Sequence, residues 1–213
     1  MAATCLFEGD KDSVQAQMKT MFTIAKKYKG ISGGAENGIK GYQLTYMIAY
    51  IRDFCLKYSQ VAESFETSCP WTHVLDLCKN VKEAIYLAGE SHGQKRSQMF
   101  VSFRVTQLYE TGAAVYVYFS MKYDKYPKDQ VVDIYEDIEH KSRAAVFVNG
   151  GCISHHHGVG KLRKRFMDET FTKLNNDMYK SIKYSLDPKN IFAVNNTIYE
   201  DEQEKAKNLE NKF

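Results

Sequence analysis

The chain has 213 residues, of which 44% are hydrophobic and 26% are charged, a composition typical of one folded domain or two small ones. Its net charge of +3 is too small to indicate a nucleic-acid partner. The sequence contains no long apolar run, which argues against a transmembrane span, and it does not begin with a signal-peptide pattern. Five scattered cysteines match neither a disulfide framework nor a CxxC metal motif, which favours a reducing compartment.

The first forty residues predict a strand, a helix and a connector. Residues 2–8 alternate loosely and indicate a strand. Apolar residues then recur at helical spacing over 13–28, with Asp12 or Ser13 as the N-terminal cap. The stretch 30–41 contains five glycines but neither GxGxxG nor GxxxxGK[ST], so we predict a flexible connector rather than a phosphate-binding loop.

A strongly apolar helix and a strand are expected next. Residues 43–58 predict a helix whose buried stripe comprises Leu44, Met47, Ile48, Ile51, Cys55 and Leu56. Arg52 lies near the edge of that stripe, and the residues alone suggest that it pairs with Asp53 or another neighbour. Residues 61–68 indicate a strand, after which Pro70 opens a further helix that ends near Gly89. The single tryptophan, Trp71, is expected to anchor packing.

Residues 99–109 and 113–123 predict a β-hairpin with a short loop. In the second strand one face is apolar and the other polar; the apolar set is Val115, Val117, Phe119 and Met121, and the polar set is Tyr116, Tyr118 and Ser120. If the loop centres on Thr111, Tyr116 lies opposite Thr106 and Tyr118 lies opposite Arg104. The polar face is either solvated or covered, and a covered face would hold a cluster of phenols and a guanidinium.

The last third of the chain contains a histidine run. A helix over 127–148 precedes it, one or two helices over 160–184 follow it, and 186–192 predict a turn with an apolar plug. From residue 200 onward the chain is charged and expected to be loose. Three adjacent imidazoles suit a core poorly because each needs hydrogen-bond partners once buried, so we predict a functional site, with an exposed polar loop as the alternative.

Three chemistries are open to this run, and they differ in how well the spacing supports them. Adjacent histidines on an extended segment point to opposite sides, and no metal-binding spacing is present, so we predict no metal site. A Ser154–His155 nucleophile lacks a GxSxG elbow. Acid–base work or anion stabilisation remains, and the nearby Lys161 and Arg163 suit an anionic ligand such as phosphate.

The segment Ser154-His-His-His-Gly-Val-Gly-Lys-Leu-Arg-Lys164 resembles the histidine motif of the alkyldihydroxyacetonephosphate synthases, a family within the FAD-linked, vanillyl-alcohol-oxidase superfamily. The resemblance runs from about residue 2 to 194. Further motifs follow in that family's order: Ile48-Ala-Tyr-Ile-Arg-Asp53, Glu63-Ser-Phe-Glu-Thr-Ser68 with Pro70-Trp71, Asp76-Leu-Cys-Lys-Asn-Val-Lys-Glu83, Arg104-Val-Thr-Gln107 and Asp187-Pro-x-Asn-Ile-Phe192.

The resemblance implies an α+β fold, with an antiparallel sheet flanked by helices as the cap domain and a C-terminal helical return segment. Residues 1–148 would be the cap (substrate) domain, 149–198 the histidine motif and return to the flavin, and 199–213 a loose tail. The N-terminal FAD-binding domain is expected to be absent from this chain, because no pyrophosphate-binding loop is recognisable. Segment 193–198 also lacks an arginine that the family carries near its end.

The resemblance also implies a transferase of ether-lipid biosynthesis. The acyl group of acyl-dihydroxyacetone phosphate is exchanged for the alkyl group of a long-chain fatty alcohol, which gives alkyl-dihydroxyacetone phosphate and a fatty acid. FAD would serve as a covalent-adduct cofactor without net redox change. A non-catalytic truncated module and an FAD-linked 2-hydroxy-acid oxidase are the alternatives. A peroxisomal location, peripheral membrane association and a homodimer are further expectations.

The family's functional residues fall on matching positions here. Its catalytic tyrosine falls on Tyr116, with Tyr118 as the second candidate, and its substrate-contacting arginine falls on Arg52. The catalytic histidines are His155, His156 and His157. Strand pairing adds Arg104 as a further anion contact. Cations beside the phenol are expected to lower the pKa of Tyr116 enough for it to accept a proton.

Overall fold

The computed structural model describes residues 2–192 and 196–197. Its α-helices are α1 (Lys11–Lys27), α2 (Gly34–Lys57), α3 (Val74–Ser91), α4 (Val131–Val148), α5 (Met167–Thr170) and α6 (Lys173–Leu186). The strands are β1 (Gln60–Pro70), β2 (Met99–Leu108) and β3 (Gly112–Lys122), and short 3₁₀ turns occupy Arg96–Gln98 and Lys164–Phe166. The chain forms two compact units that divide between Tyr58 and Ser59. The predicted α+β arrangement is confirmed, whereas the predicted domain bounds stay a prediction.

The helix α1 begins two residues earlier than predicted. The carboxylate of Asp10 accepts hydrogen bonds from the backbone N–H groups of Asp12 and Ser13 at 3.1 and 2.9 Å. Asp10 is therefore the N-terminal cap, and the prediction of Asp12 or Ser13 was wrong. The side chains of Asp10, Asp12 and Ser13 can all accept hydrogen bonds from the free N–H groups at a helix start. The spacing of apolar residues alone therefore could not choose between them.

Most of the predicted connector over 30–41 is helical, because α2 already begins at Gly34. The Lys40 ammonium lies 2.8 Å from the carboxylate of Glu36, one turn earlier, which supports this first part of the helix. Elongating an existing helix costs less than starting one, so the helix-forming residues after 41 carry the glycine-rich stretch with them. The prediction of a flexible connector was wrong.

Two predictions about the first unit were wrong. No residue of α1 or α2 is buried, and five members of the predicted stripe are 43–52% exposed, namely Leu44, Met47, Ile48, Ile51 and Leu56. Residues 2–8 form no strand. A strand needs a neighbour to bond with, and the sheet contains only β1, β2 and β3 among the described residues.

The sheet of the second unit has the order β1-β3-β2, with both pairs antiparallel. The predicted apolar face of β3 is confirmed, since Val115, Val117, Phe119 and Met121 are at most 1% exposed. Helices α3 and α4 cover that face. Tyr135 of α4 stacks on Phe119 at 4.4 Å between ring centroids, and its hydroxyl donates to the Phe119 carbonyl at 3.0 Å. Each fully buried side chain of this size contributes about 1.5–3 kcal/mol.

The register of the hairpin differs from the predicted one. Arg104 lies opposite Tyr116, and Ser102 lies opposite Tyr118. The cause is an irregularity between Val105 and Gln107, where a β-bulge places one extra residue in β2. The predicted pairs Thr106–Tyr116 and Arg104–Tyr118 were therefore wrong, although the phenols and the guanidinium do share the polar face.

The glycine pair after α4 allows the chain to lie against β1. A Cβ atom on Gly151 would lie 2.4 Å from Val146 Cγ1 and 2.9 Å from Thr67 Oγ1, so only glycine fits there. Gly150 has a φ of +74°, which L-residues with side chains rarely adopt. The Cys152 N–H then donates to the Ser68 carbonyl at 3.0 Å. This bond leads the histidine run across the polar face of the sheet.

The C-terminal part packs a small second core around Ile153, Phe166 and Met167. The predicted turn after α6 is confirmed, because the Asp187 carboxylate accepts from the N–H groups of Ile191 and Phe192 at 3.0 and 2.9 Å. These two apolar residues are 65% and 73% exposed, so they do not form a plug. The expectations for 193–195 and 198–213 fall outside the described residues. None of the helices that the structure describes combines the length and hydropathy that a membrane crossing requires.

Candidate active site

The histidine run is folded around one buried carboxylate, that of Glu66 on β1. Glu66 is fully buried and accepts hydrogen bonds from the Ser154 hydroxyl at 2.6 Å and from the backbone N–H groups of His155 and His157 at 2.5 and 3.0 Å. The His156 N–H points at the same carboxylate from 3.4 Å. Three successive N–H groups form an anion-binding concavity, so the segment is curved. The three imidazoles therefore lie together, and the expectation that they point to opposite sides was wrong.

These donors set the charge state of Glu66. Burial alone would raise its pKa, but the bonds from Ser154 and from the backbone of the three histidines outweigh that effect and hold the pKa of Glu66 at about 2. The carboxylate is therefore ionised at neutral pH. A fixed negative charge lies beneath the histidine run.

The phenol of Tyr116 lies between two imidazoles. Its hydroxyl oxygen is 2.7 Å from Nε2 of His156 and 3.0 Å from Nε2 of His157. Tyr116 pairs with Glu66 on one side and with Arg104 on the other in the sheet register, so all three share the polar face. Two hydrogen-bonded imidazoles can exchange a proton with a phenol in both directions.

The electrostatics of Tyr116 differ from the sequence-based expectation. Burial, and then the negative charge of Glu66 and the neighbouring Tyr118, raise the pKa of Tyr116, and Arg104 only partly opposes them. The expected lowering by cations was therefore wrong. The reason is that the buried carboxylate is bonded to the histidine segment directly beneath the phenol, and the sequence did not indicate this contact. Tyr116 is a protonated phenol at neutral pH.

The other polar-face candidates surround this phenol. The Tyr118 ring stacks on Tyr116 with 5.9 Å between centroids, and Arg104 is exposed on the adjoining strand. His157 is affected by burial, which lowers its pKa, while Glu66 opposes the shift. Within the second unit, the structure brings together Tyr116, Tyr118, Arg104 and the three histidines. Arg52 belongs to α2 in the other compact unit, with its Nε 3.9 Å from Asp53 Oδ1, and its role stays a prediction.

A second phenol bonds the first imidazole of the run. The Tyr109 hydroxyl oxygen lies 2.9 Å from His155 Nε2 and donates to Gln107 Oε1 at 3.1 Å. The indole N–H of Trp71 donates to the Tyr109 carbonyl at 2.9 Å, so the tryptophan anchors the end of the hairpin. Nδ1 of His155 in turn lies 2.9 Å from Nδ1 of His156.

Ligand atoms of Glu66, His155 and His156 lie within 4.8 Å of one another, close enough to share a metal ion. Both Glu66 oxygens already accept hydrogen bonds. The nitrogens of His155 and His156 bond each other and the two phenols. A metal ion would have to break these bonds. The prediction of no metal stays a prediction.

The remaining chemistry suggested by the sequence does not fit the observed contacts. The Ser154 hydroxyl donates to Glu66 and not to His155, so the contact expected of a Ser154–His155 nucleophile is not formed. Arg163 is 8% exposed, and its guanidinium donates to the Gly158 carbonyl at 2.7 Å. Arg163 therefore supports the loop rather than offering a phosphate contact, while Lys161 is exposed.

Comparison with known proteins identifies the family to which this fold belongs. Residues 1–196 match the family of FAD linked oxidases, C-terminal domain, and the chain belongs to this family. The fold resembles that of two solved structures of alkyldihydroxyacetonephosphate synthase, with TM-scores of 0.60 and 0.57 at 22% and 21% identity. Each match covers 88% of this chain, and 30% and 29% of the solved chains.

Relatives narrow the family further. The alkyldihydroxyacetonephosphate synthase of Caenorhabditis elegans is 42% identical over 197 residues, which are 92% of this chain and 32% of the relative. That of Dictyostelium discoideum is 27% identical over 187 residues, or 87% of this chain and 29% of the relative. The resemblance predicted from the motifs is confirmed. The chain spans about a third of the length of these curated relatives.

Sequence reasoning missed Glu66 and Tyr109. Glu66 forms part of a motif that carried the resemblance, but its burial depends on a segment 89 residues away. The alternation along β1 places Glu66 on the face opposite Phe65, but it does not indicate what covers that face. Tyr109 closes the hairpin next to a bulge, and the predicted register gave it no partner.

Proposed function

We propose that this chain is the substrate-facing part of an enzyme of ether-lipid synthesis. Acyl-dihydroxyacetone phosphate and a long-chain fatty alcohol would be its substrates, and alkyl-dihydroxyacetone phosphate and a fatty acid its products. The observation that carries the proposal is the phenol of Tyr116 between His156 and His157. The names of the relatives give the product, and the resemblance implies the exchange that forms it.

FAD is the cofactor that the family's name gives, and the donor set on the polar face fits it. His156 and His157 are exposed, and Tyr116 and Tyr118 are partly exposed, so aromatic faces and N–H or O–H groups are accessible to a flat polar ring. Tyr116, Tyr118 and His156 would contact the flavin. When bound, FAD supplies the covalent chemistry of the exchange without net redox change.

The residues of this chain would handle the proton and the leaving group. The alcohol loses its hydroxyl proton as its oxygen joins the dihydroxyacetone carbon, and the acyl group leaves as a carboxylate. Tyr116 starts as a neutral phenol and shares its proton with His156, so it can give a proton and recover one within a cycle. The guanidinium group of Arg104 suits the leaving carboxylate through paired hydrogen bonds. Arg52 is proposed as a substrate contact from the resemblance alone.

The proposal includes a setting that follows from the resemblance. We place the enzyme in the peroxisome, with peripheral contact to the membrane that holds its lipid substrates, and we propose that it works as a homodimer. Localisation of the tagged chain in cells, vesicle co-sedimentation and ultracentrifugation would test these three points separately.

The reaction is tested by supplying the purified chain with FAD, palmitoyl-dihydroxyacetone phosphate and radiolabelled hexadecanol. FAD-dependent formation of the labelled ether product is the expected result. Reduction of a redox dye by lactate or glycolate without ether formation would instead identify a 2-hydroxy-acid oxidase. Neither activity, with dihydroxyacetone phosphate still bound, would identify a non-catalytic module.

A further inference from the structure

A continuous chain of hydrogen bonds links Tyr116 to a second, distant phenol. It runs from Tyr116 to His156 at 2.7 Å, from His156 to His155 at 2.9 Å, and from His155 to Tyr109 at 2.9 Å. Tyr109 bonds Gln107 at its far end. Each link has ordinary hydrogen-bond length.

We propose that this chain is a proton relay between Tyr116 and solvent at Tyr109, which would make Tyr109 a positioning and relay residue for the reaction proposed above. The inference rests on the proposed function for the use of the relay. The hydrogen bonds of the relay lie between residues of this chain. It assigns a role to Tyr109, which no motif singled out.

We take both imidazoles as neutral, and the Tyr109–Gln107 bond then sets the direction of every hydrogen bond in the relay. The Tyr109 hydroxyl donates to Gln107, so its oxygen accepts from Nε2–H of His155. A neutral imidazole has one N–H, so Nδ1 of His155 accepts from Nδ1–H of His156. Nε2 of His156 then accepts from the Tyr116 hydroxyl.

Transfer along this row conserves atoms and charge. The Tyr116 O–H bond breaks as a proton joins His156 Nε2, and the His156 Nδ1 proton passes to His155 Nδ1. The His155 Nε2 proton passes to the Tyr109 oxygen, and the original Tyr109 proton leaves its bond to Gln107 and passes to water. Every group except Tyr116 ends neutral, and the reverse sequence restores the phenol. No oxidant or co-reactant is needed.

A relay is useful because of where its two ends lie. His156 and His157 are the exposed neighbours of Tyr116, so a flavin or substrate that contacts them would separate Tyr116 from bulk water. Tyr109 lies beyond the hairpin end, roughly 14 Å along the strand from Tyr116, and is 47% exposed. It can therefore exchange protons with water while the site is covered.

The test measures imidazole tautomers by nitrogen NMR in the ligand-free chain. We expect Nε2–H at His155, Nδ1–H at His156 and Nε2–H at His157. In Tyr109→Phe, loss of the acceptor should produce mixed tautomers at both His155 and His156. His73, His92 and His140 should stay unchanged as internal references.

The control is Tyr179→Phe on α6. The ring centroid of Tyr179 lies 6.5 Å from that of Phe171, and Tyr179 has no part in the relay. It should leave all three tautomers as they are. If Tyr109 acts through the relay, its loss must change the tautomer of His156. A Tyr109→Phe spectrum in which His156 is unchanged would therefore overturn the relay and leave Tyr109 with a structural role only.

Kinetics separate this inference from the proposed function. If ether product forms, Tyr109→Phe should lower kcat and leave KM unchanged. The fall in kcat should be smaller than the roughly 10²-fold minimum expected for loss of a general acid–base group. The solvent deuterium isotope effect on kcat should also change. Unchanged kcat and isotope effect would overturn the relay and leave the function intact. Absence of ether product in the unaltered chain would refute the function, while the tautomers would still decide whether the hydrogen-bonded row exists.

Discussion

Tyr116→Phe is expected to reduce ether formation by roughly 10²–10⁴-fold, the usual contribution of a positioned acid–base group. The variant keeps the ring that stacks on Tyr118 and removes only the hydroxyl that bonds His156 and His157. FAD affinity should change little, because the aromatic face remains. Initial rates and a flavin titration on the same sample measure the two effects.

Tyr118→Phe is the matched comparison, because Tyr118 is the second candidate for the catalytic tyrosine and lies two residues along the same face. Its charge raises the pKa of Tyr116 less than burial and Glu66 do, so a smaller loss of rate is expected. If Tyr118→Phe lost more activity than Tyr116→Phe, the two assignments would have to be exchanged.

Glu66→Gln is expected to destabilise the second unit by on the order of 3 kcal/mol at neutral pH, as the depressed pKa of Glu66 implies. The amide keeps the size of the side chain but loses the charge, and its NH₂ group faces N–H donors that then lack an acceptor. Urea unfolding followed by Trp71 fluorescence measures the change. The imidazole signals of 155–157 should also lose their distinct shifts.

The same carboxylate makes stability depend on acid pH. Its pKa falls from the ordinary 4.5 to about 2 in the folded chain, so the unfolded chain binds the proton more readily. The stabilisation is therefore complete above about pH 4.5 and is lost as the pH falls towards 2. Glu63→Gln, an exposed position on the same strand, is the control. An equal acid response in Glu66→Gln and the unaltered chain would show that Glu66 does not stabilise the histidine segment.

Local patterns predicted the second unit well. The alternation in β3 gave its buried face correctly because side chains of a strand point to opposite sides with a strict period of two. Helices α3 and α4 were also predicted, because their apolar residues recur at helical spacing. The bulge in β2 was not readable, since it depends on how two strands pair rather than on either strand, and it displaced the predicted partner of Tyr116 from Thr106 to Arg104.

The candidate site was only partly predictable. The histidine run and the tyrosines were visible as unusual residues, and the resemblance selected Tyr116. The curvature of the run was not visible, because it follows from contacts with Glu66, whose position in the chain is remote. The pKa of Tyr116 was predicted in the wrong direction for that reason. In the first unit, the spacing of apolar residues predicted α2 as a helix. It could not show that the apolar stripe of α2 is exposed to solvent.

The most direct test of the account is the absorbance of FAD mixed with the purified chain, before and after addition of acyl-dihydroxyacetone phosphate. If the polar face with Tyr116 and the histidine run is where the exchange takes place, the flavin should bind and its yellow absorbance should fall only when substrate is added. A spectrum that stays that of free FAD in the presence of substrate would contradict the proposal that these residues form the reacting site in this chain.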